Sequence, residues 1–571
     1  MRRLLTLLLT VAACSPKKPA PPPPATPYRW LSPRPQGNPL ARVWVDGERI
    51  FAVGEAGTIL FSGDGGASFV PQVSGTTERL AGVTGDRGGV VVVGAKGTIL
   101  ASTDGVTWVA EHSPVTVDLE GVYATGRARI FAVGDGGTIL ASTDGGAAWA
   151  RLPSGTTARL RAVAGSRTDD LYAVGDRGTI LHAEGDAATW QLRDSGTADN
   201  LTDVAVTKNG TVVAVGGSTV ARSADGGKNF VAVRPAAGAT LVGVGASGSE
   251  VLAVGALGAI LRSSDDGATF APLAVPTRST LSSIAVTADS SCAVGTFGEI
   301  VAGHGGSLRS AAPGPRALLL GVAAAGDVTI AVGADGTILR GGAAGLAPVA
   351  SGVAGLLTAV AATPDEVYVV GAGGTILHGP PGGPLEHQRS GSERLLGGVA
   401  IGGPGAALVV GQGGTILSTG DHGATWTAVT APDAHDLAAA HAEGTLSLAV
   451  GAGGTILRAE GGAFAAVPCG ATADLLAVAG RGPEIWAVGR GGTALRSTDG
   501  GKSFVAIAAG TTVDLTGVAV GESAVTIVGD RGTILSGSGG ALAPVASGTT
   551  NALTHVAGDT IVGAGGTILR R

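Results

Sequence analysis

Charge and aromatic rings are both scarce in this chain. Asp, Glu, Lys and Arg make up 14% of its 571 residues, and Phe, Trp and Tyr only 4%. Chains that stay unfolded pair high charge with low hydrophobicity. Here apolar residues reach 44%, enough to bury a large core. There is no basic surplus: the net charge of −6 gives no electrostatic reason to expect nucleic acid as a partner. The cysteines number three, Cys14, Cys292 and Cys469, too few and too scattered for a disulfide framework or a zinc site. The glycines follow no three-residue period, which excludes a collagen helix. No helix is expected after any of the glycine-rich turns, which argues against a phosphate loop.

Glycine itself is abundant, at 99 residues. Such a density excludes long helices, where each glycine would cost about 1 kcal/mol. It suits many short strands joined by tight turns, because glycine enters positive φ without strain.

The first residues read as an address. Arg2 and Arg3 precede a short apolar stretch, Leu4 to Val11, too short to span a bilayer. The stretch ends in Val11-Ala-Ala-Cys14, which resembles the lipobox of bacterial lipoproteins. The resemblance implies a signal peptide over 1–13, lipidation of Cys14, and residence in the cell envelope. Ser15 in place of an aspartate favours the outer membrane. Ten of the 28 prolines lie at or before Pro39, so 14–27 is expected to be a proline-rich tether. Cys292 lies in an apolar run and reads as a core residue; Cys469 lies in a turn.

A repeat decides the fold. The block Phe131-Ala-Val-Gly-Asp-Gly-Gly-Thr-Ile-Leu-Ala-Ser-Thr-Asp-Gly-Gly-Ala-Ala-Trp149 recurs, and its Thr138 has counterparts from Thr58 to Thr567 at steps of 34 to 41 residues. Fourteen copies result, each with four short apolar runs, which is the period of a β-propeller blade. The expected fold is all-β: two tandem seven-bladed propellers over 28–302 and 303–571. An eight-plus-six division is the alternative. The last copy stops after its third strand, while Trp30 lies in phase as a lone fourth strand. Each ring is therefore expected to close with a strand from its own N-terminal edge, the Trp30 strand in ring one and the Leu308 strand in ring two.

Ser142-Thr-Asp-Gly-Gly-Ala-Ala-Trp149 matches the Asp box, or bacterial neuraminidase repeat, with Asp64, Asp104, Asp144, Asp225, Asp265, Asp421 and Asp499 as its aspartates. A carboxylate there can accept turn N–H groups while the aromatic packs between sheets, so these aspartates are read as structural. The wider repeat resembles the photosystem II assembly and stability factors, which are propellers. That resemblance implies a binding or assembly scaffold, although Asp118 and Asp199 interrupt the arginines Arg79, Arg159 and Arg394 before the inner strands.

Asp boxes also decorate sialidases and two-propeller xyloglucanases, whose chemistry sits on long inserted loops. The near-constant repeat length leaves no room for such loops, and the low aromatic content gives little sugar platform. The expectation is thus a lipid-anchored, non-catalytic scaffold that binds an envelope protein or other envelope component, not an enzyme. A glycan-binding protein or glycoside hydrolase of the Asp-box type is the alternative. Neither cofactor nor metal is expected; His435 and His441, the closest promising pair, are read as pointing to opposite ends of a strand. If a ligand binds, the first strand of each blade should line a channel, where the first ring places Arg42, Glu120, Arg161 and Asp203 and the second only small or neutral groups and His555. The charges pair up as a channel wall in one reading and hold a polar ligand in the other.

Overall fold

The computed structural model describes the backbone of Arg29–Ser32 and residues 36–571 other than 87, 127, 168, 186–188, 236–237, 276, 305–306, 311–316 and 343–344. The described residues form fourteen four-stranded antiparallel sheets and, besides strands and turns, only three-residue 3₁₀ turns. Thirteen sheets are simple meanders of four consecutive strands; the first runs Leu40–Asp46, Arg49–Gly54, Ile59–Ser62 and Val70–Gln72.

The second strand of each sheet is a continuous apolar run. Ile50, Phe51, Ala52 and Val53 are all essentially inaccessible, because neighbouring sheets cover both faces of the strand. Cores therefore lie between sheets. Phe51, Val53 and Ile59 pack with Leu80, Val83 and Val92 of the second sheet. Each such side chain contributes about 1.5–3 kcal/mol by leaving water. Cys292 is fully buried in one of these cores, and its burial pushes the thiol up to about 12.

The cores also close on themselves. Leu40, Ile50 and Phe69 of the first sheet share a cluster with Cys292, Val294 and Ile300 of the seventh. Leu319, Val322 and Leu339 of the eighth share one with Val562 and Ile568 of the fourteenth. The inner strands follow the same order, Leu281–Val286 touching Leu40–Asp46 and Leu553–Ala557 touching Leu319–Ala325. Threonines stitch some of these joints: Thr554 Oγ1 donates to the Leu319 carbonyl at 2.6 Å, as Thr202 does to Val242 at 2.7 Å.

The sequence expectation about closure needs correcting. Arg29–Ser32, which contains Trp30, pairs with Ile568–Arg570 and completes the fourteenth sheet, at the far end of the chain. Ser307–Ser310, which contains Leu308, pairs with Ile300–His304 as the ordinary fourth strand of the seventh sheet. The strand Ile300–His304 thus runs across the expected boundary at 302/303. The expectation that the Trp30 strand closes the first ring is therefore wrong. Only the last sheet is one strand short, so the unpaired edge lies there.

The large residue of the Asp box precedes the fourth strand instead of lying within it. Phe69 stands just before Val70–Gln72 and is buried beneath the turn. Cys14 and residues 1–28 lie outside the described residues. No helix among the described residues is long and apolar enough to cross a membrane.

Candidate active site

Between the second and third strands the chain makes a tight turn, and its glycines are sterically required. At Gly54 a Cβ would stand 2.1 Å from the Pro39 carbonyl; at Gly57, with φ of 68°, it would stand 1.9 Å from the Thr76 carbonyl. Only glycine allows the loop before an inner strand to lie this close to the turn. The residue after the first glycine is then fixed by its backbone. The Glu55 N–H donates to Pro39 O and the Thr58 N–H to Glu55 O, both at 3.0 Å.

Glu55, Asp135 and Asp176 occupy this position in the first, third and fourth sheets. Three arginines meet them. Arg79 lies 3.9 Å from Glu55 and donates to Glu120 at 2.6 Å. Arg159 pairs with the other Glu120 oxygen and with Asp135, the latter at 2.8 Å. Arg161 pairs with Asp176 at 2.5 Å.

The two glutamates that share Arg79 are shifted in opposite directions. Burial raises the Glu55 carboxyl above its ordinary value, and the Glu120 charge adds to this, against the pull of Arg79. Burial also pushes Glu120 up, but Arg79 and Arg159 together outweigh it and hold Glu120 below the ordinary value. Neighbouring carboxyls shifted in opposite directions are an arrangement that acid–base chemistry uses. No inserted loop is involved, since both groups sit on the repeat's own short turn and inner strand.

The four channel candidates separate into two groups. Arg42 and Asp203, each two residues after its strand's leucine, meet at 2.7 Å although they come from the first and fifth sheets. Asp203 is nearly buried and also accepts the Val244 N–H at 3.0 Å. Glu120 and Arg161, one residue after the leucine, join the cluster at the turns instead. In the second set, His555 holds the Arg42 register; burial pushes its imidazole down to about 4, and its Nδ1 has no hydrogen-bond partner.

The seven Asp-box carboxylates are occupied by their own turns. Asp64 accepts the Ser62 hydroxyl at 2.7 Å, and the Ser68 N–H and hydroxyl at 3.0 and 2.6 Å. Asp104, Asp144, Asp225, Asp265, Asp421 and Asp499 accept the equivalent donors. The Ser68 and Thr425 hydroxyls hold Asp64 and Asp421 down at about 2. Among the described residues no group of three or more His, Cys, Asp or Glu is arranged to hold a metal ion. His435 bonds the Thr455 hydroxyl at 3.0 Å, at the turn end of the tenth and eleventh sheets, while His441 is part of the strand Leu437–Glu443.

A second cluster was not among the sequence candidates. In the ninth sheet Glu366, its side chain 7% exposed, accepts from the Gly405 N–H at 3.1 Å and the Tyr368 hydroxyl at 3.2 Å. It also meets His422 at 3.1 Å and His378 at 3.4 Å. Glu366, His378 and His422 line a cavity of about 650 Å³ with Asp365, Ile401 and Glu443. Burial pushes Glu366 up, yet its hydrogen bonds win and leave it below the ordinary carboxylate value. Glu366 is placed to orient the two histidines. Its sequence signal is an acid two residues before the second-strand aromatic with His or Arg in the facing strand, a pattern repeated by Asp170, Tyr172 and His182 and by Glu484, Trp486 and Arg496. The Glu55 cluster differs in that two carboxyls sharing one arginine are shifted in opposite directions, and it is taken as the candidate site.

No family model matches the sequence, and no curated protein matches it. Solved structures do. The chain superimposes over 95% of its length on a GH74 enzyme from Niastella koreensis, covering 98% of that chain at a TM-score of 0.60 and 14% identity. The GH74 xyloglucanase from Xanthomonas campestris matches over 95%, with 99% of that chain covered, a TM-score of 0.59 and 14% identity. An ancestral GH74 enzyme matches over 96%, with 99% of that chain covered, a TM-score of 0.64 and 12% identity. Half of the chain also aligns with all but 1% of YCF48 bound to a D1 peptide, at 20% identity and a TM-score of 0.42.

The propeller resemblance read from the repeat is therefore supported. The expectations of a non-catalytic scaffold and of a non-enzyme are overturned: the frame that matches along nearly the whole chain is that of glycoside hydrolases.

Proposed function

We propose that this protein is a glycoside hydrolase of the Asp-box propeller type. Its frame is two rings of seven blades, the first spanning Leu40–Ser310 and the second Leu319–Arg570 with Arg29–Ser32 as its last strand. The likeness to GH74 frames supports the architecture and suggests a β-glucan such as xyloglucan as the first substrate to test. The observation that carries the chemical reading is the unequal pair Glu55 and Glu120 around Arg79.

Hydrolysis needs a carboxyl that gives a proton to the departing glycosidic oxygen. Glu55 has that character, with its side chain about one-third exposed. Glu120 is closed in by two guanidinium groups; its role is to stay charged and so disfavour ionisation of Glu55. Lipidation at Cys14 would place the enzyme on the cell envelope, at the outer membrane, where polysaccharide reaches it.

Release of reducing ends from xyloglucan and other soluble β-glucans tests this reading. The protein should hydrolyse at least one of them, and Glu55→Gln should abolish turnover with an unchanged melting temperature. A wild-type protein that neither cleaves nor binds any polysaccharide of the panel overturns it.

A further inference from the structure

At the position two residues before the inner-strand leucine, the fourteen repeats carry many residue types, but asparagine only twice, as Asn38 and Asn551. These two lie in the first and the fourteenth sheets' approach loops, more than 500 residues apart, and they are nearly inaccessible at 3% and 5% exposure. Their side-chain amides cross. Asn38 Nδ2 donates to Thr58 Oγ1 of its own repeat at 3.1 Å and to the Gly548 carbonyl at 3.0 Å. Asn551 Nδ2 donates to Thr567 Oγ1 of its own repeat at 2.9 Å and to the Gly37 carbonyl at 3.0 Å. Each amide thus spends one N–H at home and one on the other set of sheets.

Two more contacts surround the crossing. A Cβ on Gly565 would stand 2.3 Å from the Phe297 ring, so the turn of the seventh sheet seats an aromatic on a glycine of the fourteenth. Gln36, also buried, accepts the Asn38 N–H through its side chain. The crossing is also wired to Glu55. Asn38 precedes Pro39, whose carbonyl accepts the Glu55 N–H, and Asn38 grips Thr58, whose N–H donates to the Glu55 carbonyl.

We infer that Asn38 and Asn551 are positioning residues: their crossed amides lock the two sets of seven sheets together and, through Pro39 and Thr58, hold the Glu55 turn in place. The lock stands on the contacts alone; its consequence for turnover rests on the glycoside hydrolase reading. An isolated backbone–side-chain bond contributes modestly, but removing one amide's two buried donors leaves a carbonyl and a hydroxyl oxygen without that partner. The groups that face Glu55 are Arg79 and Glu120, with Arg159 and Asp135 one contact further, and the lock touches none of them.

Asn551→Asp tests the inference in the full-length protein, since it keeps the shape and removes both donors. Asn38→Asp is the second variant. Three measurements are made: calorimetric melting, pH-dependent carbodiimide labelling of Glu55 read by peptide mass spectrometry, and turnover of the best polysaccharide. The lock predicts that one coupled melting transition becomes two, that the Glu55 labelling midpoint moves down toward the ordinary carboxyl range, and that kcat falls on the order of ten- to a hundredfold with KM little changed. Asn551→Gln, which keeps the donors on a longer stem, should restore part of each. A single transition with an unchanged Glu55 midpoint in both aspartate variants overturns the lock. A lower melting temperature with an unchanged midpoint also overturns it as a positioning device. If wild type cleaves nothing while melting and labelling respond as stated, the lock stands and only the hydrolase reading falls.

Discussion

Arg42 and Asp203 meet at 2.7 Å from the first and fifth sheets, so a single ion pair ties together strands that are not neighbours in the sheet order. Asp203 brings a second bond, to the Val244 N–H. Removing the arginine leaves a nearly buried carboxylate without its cation. Arg42→Ala should lower stability by about 1–3 kcal/mol, between the values for surface and buried pairs. Arg161→Ala should cost less, because its partner Asp176 is more exposed. Chemical denaturation of the two variants ranks them; equal and negligible effects would show that the crossing pair is solvated.

The pH dependence of turnover follows from Glu55. Its raised carboxyl keeps the proton at pH values where an ordinary glutamate has lost it. Turnover should be full below the Glu55 value and fall as pH rises through it. Arg79→Ala removes the cation that opposes the raise, so the descending limb should move to higher pH. A pH–rate profile of wild type and variant reads this directly.

Glu366 acts in the opposite sense on stability. Its folded value lies below the ordinary one, so the stabilisation it brings is present above the unfolded value and is lost as pH falls through the folded value. Glu366→Ala would strand the Tyr368 hydroxyl and the Gly405 N–H, at a cost of about 1–3 kcal/mol. The difference in melting temperature between wild type and variant should shrink as pH drops from neutral towards the folded value of Glu366.

Deleting 29–32 should expose the edge Ile568–Arg570, because these strands pair. Limited proteolysis should then cut first in the fourteenth sheet and its neighbours, the eighth and thirteenth. Early cleavage in the first or seventh sheet instead would contradict the pairing.

Cys14→Ser should release the protein from membranes or leave its signal peptide uncleaved. Phase partition and intact mass measure both; an unchanged partition and an unchanged mass would remove the lipid anchor from the proposal.

Sequence periodicity alone determined the repeating unit and its turn chemistry. The steps of 34 to 41 residues, the apolar second strand and the Ser-x-Asp-x-Gly turn are local patterns, and local hydrogen bonds satisfy them wherever the repeat sits. Acids such as Glu55 and arginines such as Arg79 were visible but looked like ordinary surface charges, since nothing in a linear repeat says that the first repeat's turn faces the third repeat's inner strand. Only the tertiary structure brought Glu120 between Arg79 and Arg159, and so shifted it in the direction opposite to Glu55. The pattern was read as placing Trp30's strand on the first ring, and the structure places it on the fourteenth sheet. Strand pairing is chosen by the free energy of whichever open edge lies within reach, and that edge was the last one in the chain. Asn38 and Asn551 show the same limit: an asparagine in a loop becomes a lock only when another repeat's carbonyl arrives opposite it.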